Sequence, residues 1–236
     1  MRVQSLTLVV ASAALLAPTT TPTAAAPGSA PPRPQVRPVP SEGAVPAADL
    51  LARVRDCAPV SKGHYRSDAG ARADIPVCGT DDAVFWKADM DIDCDGRPGT
   101  RCNGRTDPYF SQHTAYQQSD GRDLDAETLP YIVVPLPSRI WDHGDHGVRA
   151  GTVAAVVYDD RVQYAVVGDR GPSGIIGEAS YATAEALGID PDPRRGGTAS
   201  GVTYIVFKDT VANPIESHAA AVDVGERAAR AFVGGE

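Results

Sequence analysis

A chain of 236 residues, 42% of them hydrophobic and 22% charged, is long enough to bury one full core, which excludes a small disulfide knot, a collagenous chain and a wholly disordered one. Its 22 Lys and Arg against 30 Asp and Glu give a formal net charge of −8. A surface of that sign disfavours a nucleic-acid backbone and attracts a polycation.

Residues 1–26 have the layout of a secretory signal peptide: Arg2, an apolar stretch from Leu6 to Ala17, then small residues ending at Ala24, Ala25 and Ala26. Cleavage there removes a single charge, Arg2, and leaves the mature chain one unit more negative. No other window approaches the ~20 apolar residues of a spanning helix. A secreted, extracellular monomer without a membrane anchor is expected. Residues 27–46 are rich in proline, with Pro31, Pro32, Pro34, Pro38 and Pro40, and read as a disordered lead-in. The folded domain is expected over 47–236, with its core at about 78–208.

Cys57, Cys78, Cys94 and Cys102 are an even set in an exported chain and imply two disulfides. Three pairings are open. Short loops close at low entropic cost, which favours Cys57 with Cys78 and Cys94 with Cys102. A four-cysteine zinc site wants closely spaced ligand pairs, which these spacings do not supply.

A short helix is expected over Ala47–Val54. Strands are expected at Ala83–Trp86, Tyr131–Leu136, Thr152–Tyr158, Val162–Val167 and Val202–Phe207, all rich in Val, Ile, Tyr and Phe. The turn Asp159-Asp160-Arg161 joins two of them as a hairpin. Ser180 and Gly188 bracket a helix over Tyr181–Leu187, and a second helix is expected from Asn213-Pro214 to about Phe232. Strands do not alternate with helices, so the expected architecture is a small β-barrel or sandwich with helical additions.

The stretch from Ala88 to Pro130 carries little strand or helix signal, and so long a connection usually binds something or is stapled. It opens with Asp89, Asp91, Asp93, Asp95 and Gly96. Three readings compete. The alternation matches the first half of a calcium loop, but the twelfth position is Cys102 where a bidentate Glu belongs. It also suits a strand presenting carboxylates to a row of ammonium groups, or a plain solvated loop. His143 and His146 have metal-ligand spacing, but with no third ligand they read as part of a polar loop before Thr152.

In Val166-Val167-Gly168-Asp169-Arg170-Gly171-Pro172 a strand leads into Asp169 and a turn; a second short strand then ends at Glu178, just before Ser180. This brings two carboxyl groups to one side of a sheet, with glycines beside each that leave room for a ligand. Paired carboxylates are what glycoside hydrolysis requires. The alternative from spacing alone is that Asp169 pairs with Arg170 or caps the turn.

The strings Phe85 to Gly96, Gly168-Asp169 with Gly177-Glu178-Ala179-Ser180, and Val202 to Phe207 resemble the chitosanases of glycoside hydrolase family 75. The resemblance implies endo-hydrolysis of β-1,4-linked glucosamine polymer with inversion, needing no cofactor, and puts the essential Asp and Glu on Asp169 and Glu178. Lys87, Asp89, Asp91, Asp93 and Arg170 are the substrate-binding candidates. The segment Gly168 to Gly188 also resembles the Asp-Arg-Gly-Pro element of double-psi β-barrels such as expansins. That second resemblance implies a mainly β fold, a six-stranded double-psi-like barrel with a few short helices and a C-terminal helix. It keeps open a non-catalytic, expansin-like cell-wall-binding barrel.

Overall fold

The computed structural model describes residues 41–235; the expected signal peptide and most of the expected proline-rich lead-in lie outside the described residues. The elements run α1 (Ala47–Arg53), β1 (Cys78–Gly79), β2 (Ala83–Asp93), β3 (Tyr131–Pro135), β4 (Thr152–Tyr158), β5 (Arg161–Gly171), β6 (Glu178–Ser180), α2 (Tyr181–Leu187), β7 (Thr198–Val211) and α3 (His218–Gly234). The strands lie in the order β1-β2-β6-β3-β5-β4-β7, and β7 pairs back onto β2, so six strands close into a barrel with β1 appended to one edge. The fold is the mainly β, six-stranded barrel that the sequence implies. Two neighbouring pairs, β2 with β6 and β3 with β5, are parallel crossovers, and the remaining pairs are antiparallel.

The two-residue period of a strand sorts β2 cleanly. Val84, Trp86, Ala88 and Met90 turn into the barrel, where Trp86 stacks on Tyr204 at 5.3 Å. Ala83 and Phe85 turn outward and cluster with Leu50 of the first helix, Val54 just after its end and Phe232 of the last helix. Further along the same outer face come Asp89, Asp91 and Asp93. The strand is thus far longer than its apolar run, because β7 and β6 supply backbone partners as far as Asp93.

Both expected disulfides are present, Cys57–Cys78 and Cys94–Cys102. The second staples the start of the long 94–130 connection, whose Leu124, Ala126 and Leu129 pack with Tyr131 and Val133 of β3 and Val166 of β5. Besides β2, strands β5 and β7 also run beyond their apolar stretches, and other boundaries differ from the sequence reading. The C-terminal helix starts at His218 rather than at Asn213-Pro214, because Ser217 Oγ accepts the Ala220 N–H and sets the cap there. Glu178 opens β6 instead of ending a strand. Residues Ser41–Pro46, assigned to the lead-in, pack on the barrel: Glu42 accepts the Tyr164 N–H and the Gln163 amide, both at 2.8 Å, and Val45 is buried. His143–His146 forms a 3-10 turn rather than open loop, with the buried His143 Nδ1 3.0 Å from the Val148 carbonyl.

Candidate active site

Strand register assembles the site. Asp91 on β2 is opposite Glu178 on β6, Glu178 is opposite Val133 on β3, and Val133 is opposite Asp169 on β5. Residues in register share a face, so the three carboxylates form one row across four adjacent strands on the outside of the barrel. A register shift between Ile132 and Val133, which lets Gly168 bulge, is what brings Asp169 into line. One step further along the strands, Asp93 is opposite Ser180.

Ser180 pins this corner. Its Oγ accepts the Tyr131 N–H at 3.0 Å, donates to the Leu129 carbonyl at 2.9 Å and caps α2 by accepting from Thr183 N. Two residues from such an anchor, Glu178 has little freedom to move. Its carboxylate lies against Gly171, where a Cβ would stand 3.2 Å from Glu178 Oε2. That glycine leaves the room the carboxylate occupies.

Burial and mutual repulsion dominate the electrostatics. Burial first, then the charges of Asp91, Asp169, Asp95 and Asp107, push Glu178 up to about 8. Asp93 is buried and crowded by Glu178, Asp169 and Asp95, and is driven well above the ordinary carboxylate range. Asp95 rises to about 6, chiefly by burial, although its Oδ1 accepts the Ser111 N–H at 2.7 Å. Asp169 is raised by burial but partly held down by two backbone donors, Ala115 N at 2.6 Å and Arg170 N at 2.7 Å. The set therefore holds an acid that stays protonated at neutral pH beside a carboxylate whose hydrogen bonds favour ionisation.

A cleft of about 520 Å³ opens onto the row, lined by Asp91, Asp93, Asp95, Asp107, Tyr109 and Glu178 together with Pro172 and Asp192–Gly196. Oxygens of Asp93, Asp95 and Asp169 come within 4.8 Å of one another, close enough to surround one cation. Of the residues singled out from sequence, Asp91, Asp93 and Glu178 line the cleft, with Asp169 buried beside Asp93 and Asp95. Asp89 is buried behind the row, where a Cβ on Gly177 would strike its carboxylate; burial and then Asp91 push it up to about 7. Lys87 is not brought to the cleft. It is about 13 Å along the strand from Asp91 and borders a shallow pocket with Arg55 and Gly201–Thr203. The Arg170 guanidinium lies 5.4 Å from the centroid of the Tyr116 ring, and Asp169 takes its backbone N–H. Asp107, Tyr109 and the Asp192–Arg195 wall were not singled out from sequence; their only signal is membership of polar, turn-forming segments.

A model of the family described as fungal chitosanase of glycosyl hydrolase group 75 matches residues 90–232. The chain is similar to endo-chitosanase C of Aspergillus oryzae, 32% identical over 129 residues, 53% of this chain and 31% of that relative. It is also similar to an endo-chitosanase of Aspergillus fumigatus, 29% identical over 172 residues, 64% of this chain and 71% of the relative. The chain thus spans less than a third of the first relative's length and under three quarters of the second's. Among solved structures it is similar to the Streptomyces papain inhibitor, with a TM-score of 0.31 and 22% identity over 56% of this chain and 99% of that one.

Proposed function

This chain belongs to glycoside hydrolase family 75, and from that premise we propose that it is a secreted endo-chitosanase which cleaves β-1,4 bonds between glucosamine units with inversion. The observation that carries the reading is Glu178, largely buried in a cleft of carboxylates and pushed up to about 8. A carboxylic acid still protonated at neutral pH is a competent proton donor. The surrounding Asp91, Asp95 and Asp107 suit a polymer with one ammonium per sugar, and the net charge of −8 steers such a polymer in.

In this mechanism the Glu178 carboxyl proton passes to the glycosidic oxygen as the C1–O bond breaks. Asp169, ionised, takes a proton from a water whose oxygen attacks C1 from the opposite face. The leaving chain departs as an alcohol, and the other half becomes a new reducing end of inverted configuration. Glu178 is left ionised and Asp169 protonated, and exchange with solvent restores both. Two disulfides and the leader-like N-terminus support export. Among the described residues no helix is long and apolar enough to cross a membrane.

The deciding experiment is product analysis on chitosans of graded acetylation. Short oligomers with new reducing ends, released fastest from the least acetylated polymer, are expected. Binding without any release of reducing ends would overturn the reading in favour of a non-catalytic wall-binding barrel.

A further inference from the structure

We propose that Tyr109 and Asp107 form a sugar subsite beside Glu178, in which the Tyr109 ring stacks on the apolar face of one glucosamine unit and Asp107 receives an ammonium group of the same polymer. The proposal rests on the chitosanase reading and adds which residues hold the chain.

Tyr109 is 91% exposed, and the other exposed large hydrophobic side chain among the described residues, Leu136, is at 44%. Both tryptophans are buried, so Tyr109 is the aromatic ring that the cleft offers to a ligand. Aromatic side chains bury ~150–250 Å² when covered. Leaving one in water forgoes that contribution unless something else covers it.

The backbone beneath the ring is held firmly. Asp107 Oδ1 accepts the Tyr109 N–H at 2.8 Å, and the Asp107 N–H donates to the Asn103 carbonyl at 2.9 Å. The Arg194 guanidinium donates to the Arg105 carbonyl at 2.5 Å and to the Thr106 carbonyl at 2.7 Å. The Cys94–Cys102 disulfide ties the residue just before Asn103 to the end of β2. An exposed ring on a pre-ordered loop loses little entropy when a sugar settles on it.

Stacking alone accepts any pyranose. Selection for the amino sugar comes from the carboxylate at the foot of the ring: Asp107 is 6% exposed and lines the same cleft as Glu178. Its charge is close enough to add to the repulsion that raises Glu178. A glucosamine seated on Tyr109 therefore brings its ammonium into a field already negative, whereas an N-acetylated unit brings no charge to offset it.

The test is calorimetric binding of glucosamine hexamer and its N-acetylated counterpart to the full chain carrying Glu178→Gln, which prevents turnover. In that background Tyr109→Ala is expected to weaken glucosamine-hexamer binding about tenfold, and Tyr109→Phe, which keeps the ring face, to hold it within about twofold. Asp107→Asn keeps the oxygen that accepts the Tyr109 N–H and removes only the charge. It is expected to weaken the glucosamine hexamer several-fold and leave the acetylated one unaffected. Melting temperatures within a degree or two of the parent, expected for so exposed a tyrosine, separate lost contact from lost fold. Undiminished hexamer binding in the Tyr109→Ala protein overturns the subsite alone. Failure of the Glu178→Gln parent to bind the glucosamine hexamer overturns the chitosanase reading, and the subsite falls with it.

Discussion

Asp169 and Glu178 stand opposite the same residue: Val133 of β3 is in register with Asp169 of β5 on one side and with Glu178 of β6 on the other. Two strand spacings separate their backbones by about 10 Å. Asp91, one strand from Glu178, is only about 5 Å away by the same measure. By backbone spacing, the Asp169 side is the wider one that inversion calls for and the Asp91 side the closer one that retention would use. In the inverting mechanism proposed above, Asp169 is therefore the base and Asp91 acts on Glu178 by charge.

Stereochemistry is the first consequence. A proton NMR time course on glucosamine hexamer is expected to show the α-anomer of the new reducing end first, followed by mutarotation. Early appearance of the β-anomer would reject inversion and return Asp91 as the partner of Glu178.

Removal of the proton donor should act on turnover. Glu178→Gln keeps the size of the side chain and its packing against Gly171, and is expected to lower kcat on chitosan by about 10²-fold or more with KM nearly unchanged. Asp169→Asn is expected to do the same, because its backbone donors Ala115 N and Arg170 N still find an oxygen. Turnover like the parent's in either variant would remove that residue from the mechanism.

Much of this arrangement is legible in the sequence, and the gaps have physical causes. The apolar runs found β3 and β4, and Ser180 with Gly188 fixed both ends of α2, because those signals are local. For the Asp-rich half of β2 a strand is only one of three readings, because alternating aspartates have poor strand propensity, and β6 and β7, which supply its hydrogen bonds, lie far along the chain. Asp169 and Glu178 were singled out through the family resemblance, yet their common partner Val133 depends on a bulge that no short motif encodes. Lys87 sits with the aspartates in the string that carries the family resemblance, and the rise of a strand carries it away from the cleft. Tyr109 gives no sequence signal, since its exposure is set by how the stapled loop folds over the barrel.

Charge on Asp91 should be readable in the pH profile. Glu178 must hold its proton to act, so kcat/KM is expected to fall as pH rises through about 8. Asp91 is the largest charged contributor to that elevation, and it is exposed enough to replace without unfolding. Asp91→Asn is expected to move the alkaline limb to lower pH. A limb that stays in place would show that another group controls it.

The same elevation links stability to pH with a definite sign. Glu178 in the folded state keeps a proton that the unfolded chain releases near its ordinary value of 4.5. Its contribution to stability is therefore complete below that value and lost as pH rises through about 8. Asp89 and Asp95, raised to about 7 and about 6, act in the same direction. The melting temperature is expected to decline between pH 5 and 8, and Glu178→Gln to flatten part of that slope. A melting temperature that climbs over this interval would contradict the buried-acid assignment.

The oxygens of Asp93, Asp95 and Asp169, within 4.8 Å of one another, leave two occupants to compare: a calcium ion and a substrate ammonium. Calcium takes six to eight oxygens, about 2.3–2.6 Å away. Three carboxylates, each with an oxygen already accepting a backbone N–H, supply too few. The twelfth position of the loop pattern is Cys102, which is tied to Cys94 and offers no oxygen. An ammonium asks for less, since one or two carboxylates satisfy its three donors. The buried cluster itself is screened only weakly, but the approach of a polycation to the exposed Asp91 and to a chain of net charge −8 is Coulombic and is screened beyond a Debye length of ~8 Å at physiological ionic strength. Added sodium chloride is therefore expected to raise KM for chitosan while EDTA leaves the melting temperature unchanged. A melting temperature lowered by EDTA and restored by calcium, together with a KM indifferent to salt, would assign the cluster to the metal instead.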